Sequence, residues 1–201
     1  MINLLTPPSS STIQAPHVLR SGMSPMQRVN EYVFRRRDSL LSRPDLLWKI
    51  ESGFVRSLTW NENGDVATLG IWGEGDLVGQ PFSTLQPYQI ECLTPVNAIA
   101  LTFPRYCPPE ALLRYIQQTE KLLSITHTKQ SRDRVLKLLE WLANRFSHDH
   151  PSGRVITVRL THQTLSELTG TTRVTVTRLL SELEKQGKIT RLRRHQILLH
   201  T

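Results

Sequence analysis

The fold of this chain is decided by the stretch Leu160-Thr-His-Gln-Thr-Leu-Ser-Glu-Leu-Thr-Gly-Thr-Thr-Arg-Val-Thr-Val-Thr-Arg-Leu-Leu-Ser-Glu-Leu-Glu-Lys-Gln-Gly187. It predicts a short helix that begins at Thr161, a turn at Gly170, and a second helix with a basic, hydroxyl-rich beginning. Gly170 suits the turn because a residue without a Cβ adopts a positive φ at little cost. The sequence therefore predicts a helix-turn-helix in its C-terminal third.

The second helix of this pair has two chemically different faces. At about 100° per residue, its aliphatic side chains fall on one side, and they are Val176, Leu179, Leu180 and Leu183. Arg173 and Arg178 fall on the opposite side. The aliphatic face must be buried, which leaves the arginine face for a partner. An ordinary helical hairpin in an all-α core is the alternative, but packing alone gives no reason for arginines at the front of a threonine-rich helix.

The arginine face has the chemistry of a helix that reads DNA. Thr172 is the predicted N-cap, because its hydroxyl can accept a hydrogen bond from a first-turn N–H. Arg173 and Val174 then open the helix, where a recognition helix first meets base edges. An arginine fork matches the O6 and N7 acceptors of guanine, and a valine suits a thymine methyl. Hydroxyls suit phosphates or bases, and the helix carries them on Thr172, Thr175 and Thr177.

The segment after Gly187 predicts a wing beside the helix pair. Two β-prone runs, Ile189–Leu192 and Gln196–Leu199, flank a basic tip that contains Arg193 and Arg194. We expect both arginines at the tip to contact phosphates. A further strand is predicted over residues 155–158, before the helices.

Positive charge is concentrated in the same part of the chain. The net charge of the 201 residues is +8. Residues 132–201 contain 13 lysines and arginines against 6 acidic residues, whereas residues 1–131 contain 12 against 11. This distribution is expected of a nucleic-acid-binding surface, although charge alone fits a solvated basic surface equally well.

The N-terminal part of the chain has a β pattern. Residues 1–20 contain Pro7-Pro8 and a serine run, and they predict a flexible arm. Asn61-Glu-Asn-Gly64 is a strong hairpin signal. Strand-like runs recur with turns between them, and they cover residues 47–50, 54–60, 66–72 and 96–101. Many short strands of this kind indicate an antiparallel sandwich or barrel.

A helix is predicted from Pro108-Pro109 to about Gln130, since proline is favoured in the first turn. Its candidate seam residues are spaced 4-3-4-3, and they are Leu112, Ile116, Thr119, Leu123 and Thr126. This spacing is typical of a helix that pairs with its own copy. The alternative is that the helix packs only on its own β-domain, because the threonines weaken the seam. A second helix follows, with an apolar face from Val135 to Phe146.

Several functional classes are disfavoured by the sequence. It has no apolar run of membrane-spanning length and no signal peptide, so we expect no membrane partner. Cys92 and Cys107 fit free thiols in a reducing cytoplasm, although the sequence leaves a disulfide between them open. There is no P-loop, nucleophile elbow or other coherent catalytic set, so we expect no enzyme. His148-Asp-His150 lacks further ligands at zinc-site spacing, and we expect a polar loop and no metal.

From about residue 35 to residue 200 the chain resembles the CRP/FNR superfamily of bacterial regulators. Residues 170–180 are most similar to the recognition helix of the cyanobacterial nitrogen-control regulators, and residues 46–55 and 75–79 resemble the family's β-roll turns. The resemblance implies an α+β fold. Its expected parts are an N-terminal antiparallel β-roll over residues 21–107, a long dimerisation helix over 108–131, and a C-terminal winged helix-turn-helix domain over 132–201.

The resemblance also implies a homodimer on a palindromic operator in double-stranded DNA, with one recognition helix per half-site. The base-reading prediction comprises Arg173, Val174, Thr177 and Arg178. By position, the residues expected to hold phosphates are Thr161, Gln163, Thr172 and Thr175. Val174 stands where the cyclic-AMP receptor has an acidic base reader, so this chain lacks that cytosine contact. RNA polymerase is a further candidate partner.

The effector site of the family is altered in this sequence. Gln80 stands where cyclic-nucleotide binders carry a glutamate, and no basic residue lies between Gly75 and Val96. Because an anion in a partly buried pocket needs a charged partner, we expect neither cyclic AMP nor 2-oxoglutarate to bind. Two cysteines cannot supply the four thiolates of an iron–sulfur cluster. The alternative function is a small-molecule sensor module whose helical part makes only protein contacts.

Overall fold

The structure is a computed structural model that describes residues 17–18, 31–193 and 196–200. The chain divides into two compact units, residues 1–118 and 119–201, and the boundary falls inside the helix Pro109–Thr126. The predicted arm over residues 1–20 lies outside the described residues except for positions 17 and 18. The division at residue 118 lies within the segment predicted as a dimerisation helix.

The first unit forms two antiparallel sheets from short strands. Its strands are β1 (His17–Val18), β2 (Glu31–Phe34), β3 (Ser39–Leu40), β4 (Leu46–Ser52), β5 (Val55–Trp60), β6 (Val66–Trp72), β7 (Leu77–Val78), β8 (Gln89–Cys92) and β9 (Val96–Thr102). One sheet has the order β1-β2-β9-β4-β7 and the other has the order β3-β8-β5-β6. The antiparallel β-architecture predicted for this part of the chain is confirmed.

The predicted hairpin joins β5 to β6. The Asn61 side-chain oxygen accepts hydrogen bonds from the backbone N–H groups of Asn63 (3.0 Å) and Asp65 (2.9 Å). An asparagine that bonds its own backbone in this way stabilises the turn locally. The register of the two strands shifts between Ser57 and Leu58, as a β-bulge requires.

The interior of the first unit is built around aromatic side chains. Trp72 lies over Gly70, where an added Cβ would stand 2.4 Å from the indole ring. The indole N–H of Trp72 donates to the Ser57 hydroxyl at 3.0 Å. Tyr115 stacks on the same indole, with ring centroids 4.4 Å apart and ring planes 5° apart. Burial raises the pKa of Tyr115 to about 12, so its phenol is neutral at physiological pH.

Tyr115 belongs to α1, which spans Pro109–Thr126. The helix begins with a proline, as the sequence predicts. It ends four residues earlier than Gln130, the predicted end. The physical reason lies in its last turn, where the Thr126 hydroxyl donates to the Leu123 carbonyl at 2.8 Å. Side chains that take up backbone carbonyls in this way compete with continuation of the helix.

The second unit combines helices with a small antiparallel sheet. Its elements are α2 (Ser131–Arg145), β10 (Ser147–His150), β11 (Gly153–Ile156), α3 (His162–Thr169), α4 (Arg173–Lys185), β12 (Ile189–Arg191) and β13 (Ile197–His200). The strand order is β10-β11-β13-β12. The predicted winged helix-turn-helix is present, and the strand expected at residues 155–158 begins two residues earlier, at Gly153.

The polar segment His148–His150 corrects a prediction. It was expected to be a loop, but it forms most of β10, which pairs with β11 at the edge of the sheet. Its side chains are exposed. An edge strand needs no apolar residues to form, because backbone hydrogen bonds to one neighbour hold it, and polar side chains there discourage further pairing.

The core of the second unit lies between α2, α3 and α4, which contact one another. The residues that fill it are fully buried, and they include Val135, Leu138, Leu139, Leu142, Leu165, Val176 and Leu183. The predicted aliphatic face of α4 is therefore the buried one. None of the helices in the described part of the chain is both long and apolar enough to cross a membrane.

Candidate nucleic-acid interface

Two threonine caps and one glycine turn fix the geometry of the helix pair. Thr161 is the N-cap of α3, and its hydroxyl oxygen accepts from the Thr164 N–H at 3.1 Å. Thr172 caps α4 in the same way and accepts from the Thr175 N–H at 3.1 Å. Gly170 ends α3 in the left-handed conformation, with φ of 57°. Each cap satisfies a backbone donor that the helix itself leaves unpaired, so the start of α4 is well defined.

The four predicted base readers lie together on the exposed side of α4. Arg173, Val174, Thr177 and Arg178 are all exposed. Val174 is 79% exposed, although it is an aliphatic residue next to the buried core of the helix pair. An apolar side chain in that position is available to a partner such as a thymine methyl.

Arg178 is held by a neighbour that the sequence analysis missed. Its Nη1 lies 2.7 Å from Oε1 of Glu182, one helical turn later. The two side chains are 65% and 37% exposed. A pair of this kind stabilises a helix by only about 0.3–0.5 kcal/mol, so the guanidinium can leave it for a stronger acceptor. The signal that could have found Glu182 is its i,i+4 spacing from the arginine.

Thr177 has a restricted choice of partners. Its hydroxyl donates to the Arg173 carbonyl at 2.9 Å and lies 2.8 Å from Nδ1 of His162. When the single hydroxyl proton is donated to that carbonyl, the second contact requires the His162 tautomer that carries a proton on Nδ1. While it keeps both contacts, Thr177 offers a base the remaining lone pair of its hydroxyl oxygen. His162 has no sequence pattern that would mark it, since the contact joins α3 to α4 across 15 positions.

The predicted phosphate contacts lie at the starts of the two helices. The hydroxyls of Thr172 and Thr175 are 2.9 Å apart and share one hydrogen bond, so one of their two protons can be donated elsewhere. Thr161 has the same relation to Thr164, at 3.0 Å. Gln163 is exposed on α3 and donates to Glu167 at 2.8 Å.

The wing is fastened to α4 by an ion pair. Glu184 accepts from the backbone N–H of Arg191 at 2.9 Å and from its guanidinium Nε at 2.8 Å. These hydrogen bonds to Arg191 hold the pKa of Glu184 below its ordinary value. Arg193 is exposed at the tip that follows. Arg194 lies outside the described residues.

The predicted seam on α1 is mostly exposed. Leu112, Ile116 and Leu123 are 41%, 52% and 57% exposed, Thr119 is exposed, and Thr126 is partly buried. Leu113 extends this apolar stripe, and the strict 4-3-4-3 spacing missed it. The stripe is therefore apolar surface that the described part of the chain leaves exposed.

The region expected to differ from a cyclic-nucleotide site contains neutral side chains. Gln80 begins a 3₁₀ turn (Gln80–Phe82) and donates to the Ser83 carbonyl at 3.0 Å. Burial strongly raises the pKa of Tyr88, so its phenol is neutral.

Cys92 and Cys107 are both free thiols. Burial also raises the pKa of Cys92, so this cysteine is held as the unreactive thiol.

The second helix of the pair has one buried and one basic face, and a wing held by an ion pair follows it. These features define a winged helix-turn-helix of the DNA-binding class. The family described as the Crp-like helix-turn-helix domain matches residues 133–201. Regulatory protein CysR of Synechococcus elongatus is 43% identical over 190 residues, which are 93% of this chain and 86% of that protein. The Global nitrogen regulator of Synechocystis sp. is 33% identical over 91 residues, which are 45% of this chain and 40% of that protein.

Solved structures show the same fold. FixK2 from Bradyrhizobium japonicum matches with a TM-score of 0.72 at 16% identity, over 87% of this chain and 94% of that one. A CRP-family transcriptional regulator from Thermus thermophilus matches with a TM-score of 0.67 at 24% identity, over 84% of this chain and 91% of that one.

The chain belongs to the CRP/FNR superfamily of transcription regulators and is related to the cyanobacterial members. It is a DNA-binding regulator, and its relatives are regulators rather than enzymes.

Proposed function

We propose that this regulator acts in the cytoplasm as a homodimer that binds a palindromic operator sequence-specifically. The observation that carries the proposal is the exposed face of α4, whose opposite face is buried. In this proposal the base-reading residues are Arg173, Val174, Thr177 and Arg178. Arginines would bind guanine through O6 and N7, Val174 would contact a thymine methyl, and Thr177 would accept from an exocyclic amine.

Phosphate contacts would orient these side chains in the major groove. The proposed phosphate contacts are Thr161, Gln163, Thr172, Thr175, Arg193 and Arg194. Such contacts give affinity without sequence information and make binding weaker as salt rises. The excess positive charge of residues 132–201 supports this part of the proposal.

The dimer would form along α1. Its proposed interface contains the exposed stripe and its continuation, which are Leu112, Ile116, Thr119, Leu123 and Thr126. A twofold pairing of identical helices buries the same residues from both copies. Two α4 helices related by that symmetry would read two inverted half-sites, which is why we propose a palindrome.

No small cofactor is part of the proposal. Gln80 and the segment between Gly75 and Val96, which contains no basic residue, offer no cation for cyclic AMP or 2-oxoglutarate. An iron–sulfur cluster would need more thiolates than Cys92 and Cys107 supply. We propose RNA polymerase as a further partner, since a transcription regulator must finally change its recruitment or its access to DNA.

The experiment is to select bound duplexes from a random pool and then measure variants on the consensus. Arg173→Ala and Arg178→Ala should each weaken operator binding by about 1–3 kcal/mol and relax specificity at one base pair. Arg132→Ala removes the same charge from a partly exposed position on α2 and serves as the control. If both base-reader variants kept full affinity and selectivity, the assignment would be wrong. If no duplex were enriched, the chain would fit a sensor module with protein contacts only.

A further inference from the structure

Arg134, in the first turn of α2, reaches the turn between α3 and α4. Its Nη1 donates to the Thr169 carbonyl at 2.7 Å, and its Nη2 lies 3.5 Å from the Lys129 carbonyl. Thr169 is the last residue of α3 and is fully buried. A Cβ added to Gly170 would lie 3.8 Å from Nη1. The guanidinium therefore packs directly against the helix-turn-helix turn.

The Thr169 carbonyl needs this donor. Two earlier carbonyls of α3 have other partners, because Ser166 accepts from the Gly170 and Thr171 N–H groups and Leu165 accepts from the Thr169 hydroxyl at 2.7 Å. The Thr169 carbonyl lies after the last helical hydrogen bond and points to Arg134. A cation at this end of a helix is also favoured by the helix dipole. Arg134 thus completes the C-terminal cap of α3.

The same side chain is turned away from an external ligand. Two of its three nitrogens face backbone carbonyls of the protein, and its Nε is buried without a hydrogen-bond partner in the part of the chain that the structure describes. A phosphate contact would require the guanidinium to leave the turn. Its position is therefore that of a structural donor inside the recognition domain.

We propose that Arg134 is a positioning residue for operator recognition, which fixes the start of α4 by holding the Thr169 carbonyl. Only Gly170, Thr171 and Thr172 separate that carbonyl from Arg173, so a rotation of the Thr169 peptide is passed directly to the α4 cap. Base readers tolerate small displacements poorly, because their hydrogen bonds to base edges depend on direction. Phosphate contacts are more tolerant, since they depend mainly on charge. The proposal rests on operator binding as proposed above.

The test compares Arg134→Leu with Arg134→Lys and with Arg132→Leu. Arg132→Leu is the matched control, because it removes the same charge two positions earlier, where the side chain contacts Gln186 rather than the turn. Fluorescence anisotropy measures the dissociation constants for the selected operator and for a shuffled duplex over a range of salt concentrations. Thermal unfolding of each full-length variant accompanies the binding data.

For Arg134→Leu we expect operator affinity to fall by about tenfold or more while affinity for the shuffled duplex changes little. The salt dependence should keep its slope. Arg134→Lys, which retains one donor for Thr169, should recover part of the loss, and Arg132→Leu should match the unmodified protein. The steepness with which the logarithm of the binding constant falls against the logarithm of the salt concentration could instead decrease by about one. That result would show a direct phosphate contact and overturn the proposal. Equal losses on both duplexes would overturn it as well.

Amide chemical shifts give a second readout that does not need DNA. Arg134→Leu should shift the N–H resonances of Gly170 and Thr171, and Arg134→Lys should shift them less. If the unmodified protein bound no duplex selectively, the proposed function would be wrong. The chemical shifts would still test whether Arg134 holds the turn between α3 and α4. Unchanged shifts in both variants would overturn the positioning role even if operator binding were confirmed. Should Arg134→Leu not fold, Arg134→Lys carries the same comparison.

Discussion

Replacing Thr172 with aspartate separates the stability of α4 from its contact with DNA. Thr172 caps the helix through the hydrogen bond from the Thr175 N–H, at 3.1 Å. Aspartate caps helices at least as well as threonine. Its negative charge at a helix N-terminus also contributes about 0.3–1 kcal/mol of stability. We therefore expect Thr172→Asp to unfold at the same denaturant concentration as the unmodified protein, or at a higher one.

The same carboxylate would stand where we place a DNA phosphate. Two unit charges about 5 Å apart repel by about 0.8 kcal/mol at an effective dielectric constant of about 80 and by about 3.3 kcal/mol at about 20. Loss of the hydroxyl's hydrogen bond to a charged phosphate adds about 1.5–3 kcal/mol. The smaller repulsion and the smaller hydrogen-bond loss together cost about 2.3 kcal/mol of binding free energy. Operator binding should therefore weaken at least about 50-fold.

The assay pairs urea unfolding with anisotropy on the selected operator at low salt. Thr172→Ala should lose about 1 kcal/mol of stability, because it removes the cap without adding charge. Gln130→Asp is the matched control, since it adds the same charge at the N-cap of α2, where the native side chain makes no cap hydrogen bond. Wild-type operator affinity in Thr172→Asp would refute the placement of this helix end against DNA. A loss of stability as large as that of Thr172→Ala would refute the cap argument.

Three further predictions concern other parts of the chain. Ile116→Asp puts a charge on the exposed stripe of α1, which is the proposed dimer interface. Sedimentation equilibrium should therefore show a folded monomer. A persistent dimer would place the interface elsewhere. Tyr115→Leu removes the ring stacked on Trp72 and should lower the unfolding temperature, since such a stack contributes about 0.5–1.5 kcal/mol beyond its buried area; an unchanged temperature would contradict this. Arg191 lowers the pKa of Glu184, so the bridge contributes fully above the ordinary glutamate pKa and is lost as pH falls through the lower folded value. Glu184→Gln should remove that acid dependence from the unfolding curves, and a dependence that survives would assign it to another group.

The helix-turn-helix could be predicted because its signals are local. An N-cap hydroxyl bonds an N–H three residues later, and the aliphatic face of α4 recurs at helical spacing. Thr161, Gly170 and Thr172 each act within one turn of their own position. The Asn61 hairpin is local in the same sense, because the asparagine bonds only its own turn.

The parts that could not be predicted depend on partners far along the chain. The polar strand β10 exists because β11 pairs with it, and its own sequence has no strand pattern. Trp72 is accommodated because Gly70 leaves room and Ser57 accepts its N–H, 15 positions away. Arg134 reaches the Thr169 carbonyl across 35 positions. Periodicity reports which face of an element is buried, but it does not report which polar group meets which.

The side chains on the α4 face differ in how freely they can meet a base, and in the proposed function this difference would shape the operator. Arg178 must first leave Glu182, so it would favour an acceptor pair as strong as that of guanine over a single weak acceptor. While Thr177 keeps its bond to the Arg173 carbonyl it accepts, which favours the exocyclic amines of adenine and cytosine. Val174 offers no hydrogen bond and gains only from a methyl group. A half-site read by this face would therefore combine guanine and thymine with one amine-bearing base, and the order of these bases would follow the rise of the helix.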